Sequence, residues 1–168
     1  MKKACGAFSS IAMSRQFSVK VDSDPQRVVI VTGGAKGIGR AICEKFADDS
    51  AAVMAIDRDT IAGLELERKY QDRSAGFVRF IEADLADSET CRNTITQISD
   101  EYGGRVDVLC NNVGIQTSEN SKPVHLLEED LWEEVLKVNL TSYFLMAKYI
   151  LPLMKENGGG TIINMASV

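Results

Sequence analysis

The stretch Thr32-Gly33-Gly34-Ala35-Lys36-Gly37-Ile38-Gly39 has chemistry written into its backbone more than its side chains. Gly33, Gly37 and Gly39 let the main chain turn tightly and approach a bulky anion. The run Val28-Val29-Ile30-Val31 precedes them, apolar and β-branched, as suits a strand covered on both faces. A helix beginning near Gly37 aims its free N–H groups and positive dipole end at a phosphate. The stretch reads as one side of a dinucleotide site. Polar residues fall at the expected ends of strands throughout the chain: Thr32, Asp57, Asp84, Asn111 and Ser167.

Bringing those residues together takes alternating strands and helices, and the pattern supplies them. Strand one is Arg27 to Thr32, followed by a helix from Gly37 to Asp48 with Ala41, Ile42, Lys45, Phe46 and Ala47 on its apolar face. Strand two, Ala51 to Ile56, ends at Asp57, and a helix follows from Thr60 to Gln71. Strand three, Gly76 to Glu82, ends at Ala83-Asp84-Leu85. Asp87-Ser88-Glu89 caps a third helix that runs to Tyr102, where Gly103-Gly104 stops it. Strand four is Val106 to Cys110, followed by Asn111-Asn112-Val113-Gly114. A polar loop, Gln116 to Val124, leads into a long helix reaching Glu156, with Pro152 expected to kink its last turn. Strand five is Thr161 to Met165. Such alternation predicts an α/β fold, a doubly wound parallel sheet with right-handed crossovers. Ligands of these sheets bind at the carboxyl ends of the strands, where the strand order reverses.

The composition suits a globular domain: 168 residues, 45% hydrophobic and 26% charged. A net charge of -5 argues against a general nucleic-acid binder. No apolar run approaches a membrane span; the longest, Tyr143 to Met154, is interrupted by Lys148 and Pro152. Cys5, Cys43, Cys91 and Cys110 follow no zinc or thioredoxin spacing and read as small buried hydrophobes in a reducing compartment. His125, the sole histidine, reads as a surface loop residue. Residues 1–25 form an extension to a domain over 26–168. Met1 to Val21 carries Lys2, Lys3, Arg15 and Lys20 without an acidic residue, the composition of a transit peptide, and Arg15-Gln16-Phe17-Ser18 resembles a mitochondrial processing site. A plain tail, or a start at Met13, is the alternative. Cytoplasmic residence is expected, with mitochondrial import as the alternative.

The order of motifs resembles the short-chain dehydrogenase/reductases. Thr32 to Gly39 is similar to that family's T-G-x-x-x-G-x-G cofactor turn. Asp84-Leu85 resembles its acidic-apolar pair beside the adenine, and Asn111-Asn112-Val113-Gly114 its N-N-A-G, with valine for alanine. Lys137-Val138-Asn139-Leu140 resembles the segment holding a catalytic asparagine, and Ile162 to Ser167 the strand delivering a catalytic serine. The resemblance covers Gln26 to Val168 and implies a Rossmann-type sheet and an NAD(P)-dependent oxidoreductase acting on an alcohol/carbonyl pair. It places Gly33, Gly37, Ile38 and Gly39 around the pyrophosphate and Asp57 on the adenosine ribose hydroxyls. Asp57 favours NAD, whereas Lys36 and Arg58 could pair with the 2′-phosphate of NADP; Asp57 is weighed more heavily. The alternatives are that Asp57 caps the next helix and that Asp84 sits in a turn.

By the same resemblance, Ser167 orients the substrate oxygen and Asn139 holds a proton-relaying water. The plainer readings are a strand end for Ser167 and a hydrogen bond within its own helix for Asn139. The family's Tyr-x-x-x-Lys follows the serine by about a dozen residues, with one helical turn placing both groups on the site. Val168 is the last residue given, and none of Tyr70, Tyr102, Tyr143 or Tyr149 has a lysine four positions on. The expectation is therefore a sheet truncated after its fifth strand, a chain inactive alone, an open apolar edge at strand five, and an uncovered helix face at Leu136, Leu140, Phe144 and Leu151. A homo-oligomer is expected of a full-length parent. The competing reading is a non-catalytic nucleotide-binding or regulatory module that pairs with a full-length relative.

Overall fold

The computed structural model describes residues 27–73, 75–116 and 122–166. The N-terminal extension, Cys5, most of the polar loop and Ser167 lie outside these residues. The first half runs β1 (Val28–Thr32), α1 (Gly37–Asp48), β2 (Ala52–Asp57), α2 (Thr60–Tyr70), β3 (Phe77–Glu82) and α3 (Ser88–Glu101). The second runs β4 (Val108–Asn111), a 3-10 turn (Val124–Leu126), α4 (Glu129–Leu136), a π-helical turn (Lys137–Thr141), α5 (Ser142–Glu156) and β5 (Thr161–Asn164). The expected long helix is thus one helical path with a wide turn in its middle, and it continues through Pro152 to Glu156.

All the strand pairs are parallel, and the sheet order is β3-β2-β1-β4-β5. The chain steps outward from β1 to β3, then returns to the far side of β1 for β4. That reversal leaves a crevice between the carboxyl ends of β1 and β4, the place where sheets of this kind bind ligands. Every residue of β1 is buried, and its alternation divides the core. Val29 and Val31 face Cys43, Ala47, Leu66 and Tyr70 from α1 and α2. Ile30 belongs to the other layer, with Ile95 and Ile98 of α3 and Met146 and Ile150 of α5. β1 is therefore continuously apolar because both faces are covered.

α1 differs from its expected packing face. Its buried stripe is Gly39, Cys43 and Ala47, flanked by half-buried Ile42 and Phe46, while Ala41 and Lys45 face solvent. The residues i, i+4 and i+8 share a face, and their small side chains bring the helix close to the sheet. Lys45 instead pairs with Asp49 at 3.0 Å. The starts of α2 and α3 follow capping chemistry: Asp59 accepts from Ala62 N at 3.0 Å and Asp87 from Thr90 N at 2.7 Å.

Cys43, Cys91 and Cys110 are buried free thiols, and burial pushes the Cys43 thiol up to about 12. His125 is exposed in the 3-10 turn. Among the described residues no helix is long and apolar enough to cross a membrane. On the long helix, Leu140, Phe144 and Leu151 are exposed as expected, but Leu136 is half-buried.

Candidate functional site

A cleft of about 320 Å³ opens at the carboxyl ends of β1, β2 and β4. One wall is the glycine turn. Gly33 and Gly37 hold φ of 64° and 53°, a backbone region that disfavours a side chain. Gly39 packs against the turn itself, where a Cβ would collide with the Gly33 carbonyl oxygen and the Asn112 amide. A Cβ on Gly37 would meet nothing within 4 Å, so open space lies beside the start of α1. No side chain caps α1, and its first turn carries no acidic residue. Its leading N–H groups and positive dipole end therefore suit an anion in that space.

Two polar residues expected to contact a ligand are spent building the turn. Thr32 is wholly buried, and its Oγ1 accepts from Asn112 N at 2.9 Å and Val113 N at 3.1 Å. Asn112 Nδ2 donates back to the Thr32 carbonyl at 3.1 Å and the Gly33 carbonyl at 3.2 Å. The two residues stitch β1 to the loop after β4. Asn111 is also turned away from the cleft. It is wholly buried, its Nδ2 donates to Asn164 Oδ1 at 2.9 Å, and its own Oδ1 is buried without a hydrogen-bond partner among the described residues. It sits opposite Asn164 in the β4–β5 register, so its side chain ties two strands together. Ile38 is 64% exposed on the first turn of α1 and is not part of the cleft wall.

The opposite wall carries the charges. Asp57 closes β2 and lines the cleft, with Oδ2 accepting from Ala35 N at 3.1 Å and Oδ1 from Asp59 N at 3.0 Å. Asp57 thereby joins the glycine turn to the end of β2, and the capping of α2 falls to Asp59. Asp84 also lines the cleft while its Oδ1 accepts from Ala86 N at 3.0 Å, a local turn that leaves the residue exposed. Leu85 is a buried apolar wall residue. Lys36 and Arg58 reach the same cleft. Lys36 forms an ion pair with Asp59, whose carboxylate raises the Lys36 pKa by hydrogen bonding and charge. The Asp59 carboxyl is held below its ordinary value by the Ala62 N–H first and by Lys36 second. Asp59 is the site residue that sequence reasoning passed over. Its signal is an aspartate one place before the helix at Thr60, a capping position.

At the far end, Gly114, Ile115 and Val138 close the cleft. Asn139 lies in the π-helical turn, and its side chain clamps Ile115, with Oδ1 accepting from Ile115 N at 2.8 Å and Nδ2 donating to Ile115 O at 3.0 Å. The amide reaches out of its helix to hold the loop after β4, unlike the plainer reading of a bond within the helix. The structure brings the glycine turn, Asp57, Arg58, Asp84, Leu85, Asn112 and Gly114 to one cleft, with Asn139 fastening its far wall.

Residues 27–168 match the family described as short chain dehydrogenase. An uncharacterized oxidoreductase of Thermotoga maritima is 38% identical over 84% of this chain and 53% of its own length. A 15-hydroxyprostaglandin dehydrogenase [NAD(+)] of Macaca fascicularis is 35% identical over 84% of this chain and 50% of its own. A metagenomic short-chain oxidoreductase solved in complex with NADP superposes with a TM-score of 0.78 at 30% identity, covering 84% of this chain and 62% of that one. The chain spans about half the length of the curated relatives it matches.

Proposed function

The chain belongs to the short-chain dehydrogenase family, and from that premise we propose that it is the cofactor-holding part of an NAD-dependent oxidoreductase acting on an alcohol/carbonyl pair. The observation that carries this reading is the anion-ready start of α1 facing open space across from the Asp57 carboxylate, within one cleft. The glycine turn and the α1 N–H groups would hold the pyrophosphate. Asp57 would accept from the adenosine ribose hydroxyls with the lone pairs its two backbone donors leave over. Asp84 and Leu85 would border the adenine. The bound cofactor supplies the hydride chemistry. NAD over NADP follows from the carboxylates at the ribose end, which repel a 2′-phosphate. One named relative uses NAD and one solved structure holds NADP, so the family admits both.

The proton remains to be managed. We propose that Asn139 holds a relaying water and Ser167 orients the substrate oxygen, with a Tyr-x-x-x-Lys pair supplied by a longer product of the same gene. The tyrosines present do not suit the task. Tyr143 donates to the Met165 carbonyl at 3.3 Å, and burial raises its pKa, opposite to what a general acid/base at neutral pH needs. Lys148 lies 5.9 Å from the Phe144 ring centroid and 5.5 Å from that of Tyr149. A second reading, a non-catalytic module that pairs with a full-length relative, draws on exposed Leu140, Phe144 and Leu151 along the long helix. A homo-oligomer is proposed for the longer protein on the same face.

Calorimetric titration of the 168-residue chain with NADH and NADPH tests the shared core of these readings. Saturable heat with both, NADH the tighter, is expected. No heat with either cofactor would sink the reading, and tighter NADPH would overturn the weight placed on Asp57.

A further inference from the structure

The cleft is lined by two cations, Lys36 and Arg58, and two carboxylates, Asp57 and Asp84, and the Lys36 ammonium is paired with a third carboxylate, Asp59. Charge alone does not decide whether such a set accepts a 2′-phosphate; the freedom of each group does. Lys36 sits immediately before Gly37, at the point where α1 begins, so its ammonium is the turn's own candidate partner for a phosphate. That ammonium is bound to the Asp59 carboxylate. Asp59 cannot follow it outward, because its Oδ1 caps α2 through Ala62 N at 3.0 Å and its backbone N–H is fastened to Asp57 Oδ1 at 3.0 Å. Asp57 is in turn fastened to Ala35 N at 3.1 Å, one residue before Lys36. The lysine is thus tethered to a carboxylate fixed by a helix cap. The Lys36 side chain is 69% exposed, so the pair biases the lysine toward Asp59 and does not lock it there.

We infer that Asp59, which touches neither the ribose nor the phosphates in the reading above, is a specificity-determining residue: it keeps Lys36 from serving a 2′-phosphate and so holds the cleft to NAD. This rests on the dinucleotide reading of the cleft. It separates two functions of one carboxylate, since asparagine and serine cap a helix about as well as aspartate but carry no charge. Asp59→Asn therefore leaves α2 its cap and releases Lys36.

The test is the ratio of NADPH to NADH affinity, measured by titration on the 168-residue chain. Asp59→Asn is expected to move that ratio about threefold toward NADPH, the size of one exposed ion pair released. Adding Lys36→Met to Asp59→Asn is expected to return most of that gain. Asp59→Ser, a second capping residue, should repeat the shift if the asparagine variant folds poorly. An unchanged ratio in folded Asp59→Asn and Asp59→Ser overturns the inference. So does a shift that persists in full without Lys36, because it would then reflect removal of negative charge alone. If the unaltered chain binds neither dinucleotide, the cleft reading itself fails, a result distinct from binding with an unmoved ratio.

Discussion

The two outer strands of the sheet, β3 and β5, carry similar apolar residues and end in opposite conditions. β3 buries Val78 and Ile81 and half-buries Phe77, Arg79 and Phe80, and its side chains are engaged. Phe80 packs so closely on Gly63 of α2 that a Cβ on the glycine would collide with the ring. The Phe80 N–H donates to Glu67 Oε1 at 3.2 Å, and Arg79 pairs with Glu101 of α3. β5 holds only Ile162 half-buried, while Ile163 is 40% and Met165 38% exposed, and no charged residue lies between Thr161 and Met165. Sheet edges are kept from pairing with other chains by charge, by cover or by an engaged backbone. β3 has all of these. Among the described residues, β5 has none along its outer side. Strand character thus follows from residue type, whereas protection of an edge follows from what packs on it.

The largest effect is expected where β3 is most tightly covered. Gly63→Ala should force the Phe80 ring off α2 and cost about 1–3 kcal/mol, read as a lower denaturation midpoint. An unchanged midpoint would show that α2 can slide and that the cover on β3 is looser than its contacts suggest. A smaller effect tests how dry the covered half is. The Cys43 thiol, pushed up to about 12 by burial against an ordinary 9.0, stays protonated in the folded state while the unfolded chain ionises. Its stabilising preference is complete below about pH 9 and declines as pH rises toward about 12. Stability should therefore fall by about 1 kcal/mol between pH 8 and pH 10, with Cys43→Ala abolishing that part of the slope. The smallest change in stability, within about 0.5 kcal/mol, is expected for Ile163→Lys on exposed β5. Its readout is association: sedimentation should show less self-assembly than the unaltered chain. Equal assembly would mean that the β5 edge is not the surface through which copies meet.

Much of this fold is legible in the order of residues alone. The alternation of elements, the glycine turn and the Asp87 cap all follow from periodicity and turn chemistry. These are local properties, set by residues within a few positions of one another. The face of α1 is not legible in that way, because Ala41 and Ala47 are chemically alike; only docking on the sheet decides that Ala47 is buried and Ala41 exposed. The roles of the site asparagines are also beyond the pattern. Asn111, Asn112 and Asn139 look equivalent as polar residues near strand ends or in a helix. Register gives them different work: Asn111 bonds across to Asn164, Asn112 holds Thr32 and Gly33, and Asn139 clamps Ile115.

The sequence by itself determined the elements, their order and the position of the glycine-rich turn, because each rests on short-range backbone preference and hydrophobic period. The tertiary structure alone decided which polar atoms remain for a ligand. Thr32 and Asn112 lie 80 positions apart and consume each other's hydrogen-bonding groups, and Lys36 is engaged by Asp59 from the next strand–helix junction. A side chain's availability depends on partners that only the strand order brings within reach.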